Sequence, residues 1–131
     1  MARFAKIQWE TPARKKGTVV QTIVAEQDFI NSGAVGDSLH WVQFSRNTYG
    51  GIHYDPNTGE PDGNFALRYN GAGIGAIYDA EKDAFYAQCQ YPSWTLNQNT
   101  FLWEPPVPQP TAPPLTQWDE DTLSWIEVSY D

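Results

Sequence analysis

Three segments in the second half of the chain share one pattern: residues 78–85, 96–103 and 118–125. Each begins with a large apolar residue, continues with Asp or Asn, crosses a short run of turn residues and ends on an aromatic residue. Asp and Asn side chains fold back onto the backbone of a turn, and opposite residues of a hairpin face each other. The pattern therefore predicts three tight β-hairpins. Because an isolated hairpin is only marginally stable, the three must pack on one another or on an N-terminal sheet.

The first half of the chain predicts the rest of that sheet. Residues 4–9 alternate between apolar and polar, and residues 18–24 form a β-branched run, so we expect an antiparallel hairpin. Residues 25–33 have the composition of a short helix that ends at a glycine, and residues 41–45 return to strand character.

Turn-forming residues dominate the next stretch. Residues 47–63 are rich in Gly, Asn, Asp and Pro, which predicts an irregular surface excursion, and residues 66–69 are expected to pair briefly as a strand. The fold class that follows is all-β: a small antiparallel sheet or sandwich with an N-terminal hairpin, one short helix, repeated aromatic hairpins and an extended proline-rich arm.

A proline-rich segment, residues 104–114, precedes the third hairpin. Its six prolines favour an extended polyproline conformation without internal hydrogen bonds. We therefore expect a β-rich body at 1–103, an extended linker at 104–114 and a C-terminal hairpin arm at 115–131. That arm either folds back onto the body or docks on a neighbouring subunit.

The charge distribution argues against nucleic-acid binding. The net charge is −8, and residues 71–131 contain one Lys and nine Asp or Glu. Binding to nucleic acid needs Lys and Arg to neutralise phosphates, so no such partner is expected. No apolar stretch approaches the ~20 residues that span a bilayer, and no apolar segment follows residues 1–6, so we expect neither a membrane span nor a signal peptide.

No pattern in the sequence predicts chemistry. The single cysteine, Cys89, lies in an aromatic run and is expected to be a buried, inert thiol. Residues 71–76 match the glycine pattern of dinucleotide-binding loops, but strand-forming residues follow where a helix should open, so close backbone packing or a bulge is the better interpretation. The sequence therefore predicts no enzyme, no catalytic residues, no cofactor and no metal site.

The aromatic residues of the repeats allow two interpretations: they form the hairpin core, or they bind a partner. Exposed tryptophans could also stack on sugar rings. The residues expected to contact a partner belong to the second and third repeats and the proline segment: Trp94, Trp103, Pro105, Pro106, Val107, Pro108, Trp118, Leu123 and Trp125.

Six stretches of the chain carry a resemblance to known proteins: residues 4–7, 19–25, 69–75, 91–94, 103–108 and 118–125. They resemble small, uncharacterised virion-associated proteins of marine and cyanobacterial tailed phages. The likeness extends over nearly the whole chain, and its most specific part is the ending Trp-Asp-x-x-Thr-x-x-Trp at 118–125. The chain departs from that family in the long loop at 9–17, where a tight turn is usual.

The resemblance implies a phage origin and offers no catalytic residues. We expect a non-enzymatic structural protein of the virion, made in the host cytoplasm: a head-decoration protein or a tail accessory. Its partners would be capsid or tail subunits, and it would be a homo-oligomer or present in many copies. The alternatives are a glycan- or receptor-binding module of a tail fibre and a tail-fibre assembly chaperone.

Overall fold

The computed structural model describes residues 2–111 and 113–128. Within them the chain is mostly β, with one five-residue helix and one short 3₁₀ turn at Ser38–His40. The all-β prediction is therefore confirmed. The elements in chain order are β1 (Ala2–Trp9), β2 (Lys16–Ala25), α1 (Gln27–Asn31), β3 (Trp41–Phe44), β4 (Thr48–Tyr49), β5 (Ile52–His53), β6 (Ile77–Asp79), β7 (Ala84–Tyr86), β8 (Thr95–Leu96), β9 (Trp103–Glu104), β10 (Thr116–Asp119) and β11 (Ser124–Glu127).

The main sheet is antiparallel and five-stranded, in the order β3-β1-β2-β6-β7. The predicted N-terminal hairpin forms its centre, with Ala2 opposite Ala25 at one end and Trp9 opposite Gly17 at the other. A one-residue register shift between Lys6 and Ile7 leaves an extra residue in β2. The first predicted hairpin, β6–β7, continues this sheet by pairing with β2.

Apolar residues are buried on both faces of β1, because neighbouring side chains of a strand point in opposite directions. Phe4 packs on one face with Ile30 from α1, the helix predicted within residues 25–33. Ala5 and Ile7 pack on the other. That second face is completed by Val19, Phe44, Tyr78 and Phe85.

All three predicted hairpins form, and they share one turn geometry. The first and last residues of each repeat stand opposite each other: Tyr78 and Phe85, Leu96 and Trp103, Trp118 and Trp125. The fourth residue after the Asp or Asn has a left-handed backbone each time, with φ of 51° at Asp83, 55° at Phe101 and 52° at Leu123. The three repeats are therefore alike in strand pairing and turn conformation as well as in sequence.

The Asp of the first repeat acts as predicted. The Asp79 carboxylate accepts hydrogen bonds from the backbone N–H groups of Glu81 and Lys82, at 3.1 and 3.2 Å. In the third repeat the Asp119 carboxylate accepts one from the Thr122 hydroxyl at 2.7 Å. These local bonds stabilise the turns, as expected for Asp before a tight turn.

Asn70 joins strand β7 to two separate turns from a buried position. Its side-chain N–H₂ donates to the backbone carbonyls of Phe85, Thr100 and Phe101, at 2.9, 3.3 and 3.1 Å. Its side-chain oxygen accepts from the Gly50 N–H at 2.8 Å. The buried Phe101 ring packs nearby on Tyr69 and Tyr86.

Contacts within the chain define two compact units. The first unit comprises the chain up to Gln88 together with Gln98–Leu102, and the second comprises Cys89–Asn97 and the chain from Trp103 onward. This grouping differs from the predicted body at 1–103, linker at 104–114 and arm at 115–131, because Trp94 packs with the tryptophans of the third hairpin. Whether 104–114 acts as a linker stays a prediction.

Two local predictions are wrong. Cys89 is exposed rather than buried, because β7 ends at Tyr86 and the chain leaves the sheet before it reaches the thiol. Residues 66–69 form no strand, since Arg68 and Tyr69 have left-handed backbones, with φ of 52° and 69°.

The glycine motif at 71–76 serves backbone packing. A side chain at Gly71 would place its Cβ 3.0 Å from the Ser45 carbonyl oxygen. The motif leads into strand β6 and not into a helix. It therefore lacks the helix N-terminus on which dinucleotide binding depends.

Candidate interaction site

The third hairpin places two tryptophans side by side. Trp118 in β10 stands directly opposite Trp125 in β11, so both rings project from the same face of the hairpin. Their ring centroids lie 5.2 Å apart at an interplanar angle of 69°, an edge-to-face arrangement. We call Thr116–Glu127 the terminal hairpin; it presents an aromatic face built entirely by local pairing.

A third tryptophan, Trp94, completes a cluster on that face. Its ring lies 5.9 Å from Trp118 and 6.1 Å from Trp125, and Tyr91 packs 5.3 Å behind it. Trp118 is 8% exposed, whereas Trp94 and Trp125 are half-buried. Aromatic pairs at these distances contribute about 0.5–1.5 kcal/mol each beyond burial. The three tryptophans (Trp94, Trp118, Trp125) therefore form one aromatic cluster of the second unit, the tryptophan cluster.

One carboxylate joins the terminal hairpin to the segment that carries Trp94. Glu120 accepts hydrogen bonds from the Trp118 indole N–H at 2.9 Å, the Ser93 hydroxyl at 2.7 Å and the Ser93 backbone N–H at 3.2 Å. The bonds from Trp118, then those from Ser93, lower the pKa of Glu120 below its ordinary value. The carboxylate therefore keeps its charge and its three donors at neutral pH.

The proline segment (residues 104–114) is tied to the same hairpin. The Trp125 indole N–H donates to the Val107 carbonyl at 2.7 Å. Trp94 and Trp125 also line a groove of about 450 Å³ whose other walls come from the proline segment: Glu104, Pro105, Pro108 and Gln109. The groove combines two indole rings with one carboxylate and one amide.

Several apolar side chains of the second unit are exposed. The exposed fractions are 46% for Val107, 67% for Leu115, 48% for Leu123 and 39% for Ile126. Leu123 lies at the turn, in the left-handed backbone conformation that favours glycine or asparagine. Leu123 is therefore exposed although its backbone conformation raises the free energy of the folded chain.

The predicted partner-binding residues fall into four groups. Trp94, Trp118, Trp125 and Val107 lie together, and Pro105 and Pro108 line the groove. Trp103 instead stands opposite Leu96 in the small β8–β9 sheet. Pro106 and Leu123 are exposed. Their role in binding a partner stays a prediction.

Sequence reasoning missed the polar members of this site. Ser93 and Glu120 are 27 positions apart and hydrogen bond directly. The one local signal was the Trp-x-Glu spacing at Trp118, which lets the carboxylate reach back to the indole. The partner on the other side of Glu120 depends on how the chain folds back and has no signature in the sequence.

The first unit has a cleft of its own, of about 750 Å³, lined by His53, Asn64, Arg68 and Asp83 among others. At its edge His53 Nδ1 lies 2.9 Å from each carboxylate oxygen of Asp62. In residues 2–111 and 113–128, no group of three or more His, Cys, Asp or Glu could hold a metal ion. Over the same residues, no helix is long and apolar enough to cross a membrane.

Comparison with known proteins adds no relative: no family model, no curated protein and no solved structure matches the chain.

Proposed function

We propose that this chain is a non-enzymatic structural protein of a tailed-phage particle. It binds neighbouring capsid or tail subunits through its second unit, as a head-decoration or tail-accessory protein present in many copies. The phage assignment rests on the resemblance of its sequence, above all the ending at 118–125. The binding surface rests on the geometry of the second unit.

The observation that carries the binding surface is Leu123. An L-residue in the left-handed conformation costs about 1–2 kcal/mol, and Gly or Asn would lower that cost. Leu123 is 48% exposed, so its side chain recovers only part of that cost through burial within the chain. Residues held at a conformational cost concentrate at functional sites, and exposed apolar groups beside aromatic anchors are typical of interfaces.

The charge of the second unit defines the partner. Residues 89–97 and 103–131 contain no Lys or Arg and six Asp or Glu. Complementary charge steers association and suppresses wrong partners. The surface that receives this unit on a capsid or tail subunit is therefore apolar at its centre and basic at its rim, and binding weakens as salt is added.

Mass spectrometry of purified particles tests the proposal. We expect peptides of this chain in amounts that match a multi-copy structural protein. A chain absent from particles but needed to form them would be an assembly chaperone, and the proposal would be wrong.

A variant tests the surface itself. Leu123→Gly removes the exposed side chain and should lower incorporation into particles although the free protein stays folded. The matched control is Ile74→Gly, because Ile74 is 75% exposed in the first unit and its loss should leave incorporation unchanged. Equal incorporation of both variants would contradict a role for the terminal hairpin.

Glycan binding is the second candidate, favoured by the groove between Trp94 and Trp125. Indole faces stack on the C–H faces of sugars, while the Glu104 carboxylate and the Gln109 amide can hydrogen bond to hydroxyl groups. A glycan array probed with the full chain would report it. Loss of that signal in Gln109→Ala, with particle incorporation intact, would favour sugar binding over subunit binding.

A further inference from the structure

In the part of the chain that the structure describes, no backbone-to-backbone hydrogen bond joins the terminal hairpin to residues 91–94. Within the described residues, β10 and β11 pair only with each other. The contacts across to residues 91–94 are the ring contacts of Trp118 and Trp125 on Trp94 and the bonds from Ser93 to Glu120. The hairpin is therefore a complete element that can leave and dock again without disturbing a backbone ladder.

The segment that tethers this hairpin is long. The proline segment contains six prolines and, apart from Glu104 in β9, its described residues lie in no helix or strand. A polyproline chain extends by about 3.1 Å per residue, so residues 104–114 can reach about 34 Å once the bond from Trp125 to the Val107 carbonyl opens. That length allows the hairpin to dock on its own chain or on a neighbouring one.

We propose that two copies of this chain exchange their terminal hairpins, so that Trp118 and Trp125 of one copy pack on Trp94 of the other. The exchange is reciprocal and gives a two-fold pair, because each copy offers one hairpin and one acceptor, Tyr91–Trp94. This exchange deepens the proposed function. It rests on that function in one respect: copies of the chain must stand side by side on a particle.

Effective concentration decides which form is populated. The contacts are the same within one chain and between two, so the choice depends on how often the hairpin meets each acceptor. A short tether holds a hairpin at an effective concentration of the order of 1 mM, which exceeds the concentration of a dilute protein. The dilute chain is therefore monomeric, and exchange requires either millimolar protein or neighbours fixed on a particle.

Charge sets a second condition. Both copies bring an acidic second unit with six Asp or Glu and no Lys or Arg, so the two repel each other at low salt. Added salt screens this repulsion and favours exchange. Added salt should therefore strengthen exchange, whereas it should weaken binding to a basic capsid or tail surface.

Complementation between two full-length variants tests the exchange, both in a Cys89→Ser background because that thiol is exposed. Trp118→Ala weakens the hairpin but keeps the acceptor, and Trp94→Ala weakens the acceptor but keeps the hairpin. Each variant alone should sediment as a monomer. Their mixture should form a heterodimer with a dissociation constant below about 1 mM, tighter at higher salt.

The control mixes the Trp94→Ala chain with a chain that carries both substitutions, so that no intact acceptor remains, and it should stay monomeric. Far-UV circular dichroism checks that the first unit of every variant is folded. If the test mixture stays monomeric up to about 1 mM, the exchange is wrong.

A second variant keeps all three tryptophans and deletes residues 108–111. The shortened tether should hinder docking within one chain and give a dimer, whereas a folded monomer would contradict the proposal. The two proposals also fail separately. Exchange in solution by a chain that particles lack would overturn the phage role alone, and incorporation without exchange would overturn this inference alone.

Discussion

Removal of the Asn70 side chain should lower the stability of the first unit by more than the small size of that side chain suggests. Asn70 is 7% exposed, and its amide bonds with four backbone groups, one in strand β7 and three in two turns. Asn70→Ala leaves those groups buried without partners, and a buried unsatisfied group costs about 1–3 kcal/mol. We expect the free energy of unfolding, measured by urea denaturation, to fall by about 3 kcal/mol.

The control is Asn64→Ala, because Asn64 is an exposed loop residue whose hydrogen bonds within residues 2–111 and 113–128 go to its neighbour Asp62. Its loss should change stability by less than about 0.5 kcal/mol. Equal effects at the two positions would show that Asn70 does not connect strand β7 to the two turns.

Tyr78 should make stability depend on pH in the alkaline range. Its hydroxyl donates to Asp83 at 2.6 Å, and burial, together with that bond, raises the pKa of Tyr78 from 10.0 to about 12. Below pH 10 the tyrosine is protonated in both states, so its contribution is complete. Between pH 10 and about 12 the unfolded chain loses the proton and the folded one keeps it, so stability falls as pH rises.

Tyr78→Phe isolates this contribution. The wild type should be more stable by about 1 kcal/mol below pH 10, and its advantage should decline above that by at most about 1.4 kcal/mol per pH unit. Urea denaturation of both proteins between pH 8 and pH 12 measures it. A difference that stays constant over this range would contradict the raised pKa.

At the scale of elements, the hairpins were the most predictable part of the fold. Their turns are stabilised by the Asp side chain acting on its own turn, as at Asp79 and Asp119, and such local chemistry is visible in the sequence. The β1–β2 hairpin was predictable for a similar reason, because the β-branched run in β2 favours a strand over a helix or a loop.

What each hairpin packs against was not predictable. Phe101 and Leu123 occupy equivalent turn positions with nearly the same φ, yet Phe101 is 3% exposed and Leu123 is 48% exposed. The difference comes from Tyr69 and Tyr86, which are distant in sequence and pack on Phe101. Equal local patterns therefore predict equal turns but not equal burial. The same limit applies to the candidate site, where the tryptophans were predictable and the Ser93–Glu120 bonds were not.

The turn of the terminal hairpin offers a test of its strained leucine. Leu123→Gly relieves the left-handed backbone, and we expect a gain of about 0.5 kcal/mol after the larger chain entropy of glycine is subtracted. Thermal unfolding followed by tryptophan fluorescence measures it. Leu115→Gly is the control, because Leu115 is exposed without a positive φ, and it should lower stability. A loss of stability in both variants would contradict the strain at Leu123.

At the scale of the whole molecule, the first unit should need residues 98–102 to be stable. They supply the Phe101 ring and the carbonyls of Thr100 and Phe101 that accept from Asn70. A chain that ends at Leu102 should unfold cooperatively, and one that ends at Asn97 should be less stable by about 3 kcal/mol. Urea denaturation of both truncations compares them.

A full-length Phe101→Ala variant serves as the reference, because it removes the ring but keeps the chain. It should lose part of the stability that the shorter truncation loses. If the two truncations unfold at the same urea concentration, residues 98–102 contribute nothing to the first unit.

The interleaving of the two units also limits how such a gene can recombine. Residues 98–102 belong to the first unit but are encoded between two stretches of the second. A crossover near codon 88 that imports a foreign second half therefore also replaces Phe101. The recombinant keeps a stable first unit only if the donor encodes a turn that fits the same aromatic contacts. A crossover beyond codon 102 leaves the first unit complete, so exchange of binding surfaces between related genes is expected in the stretch that encodes the prolines.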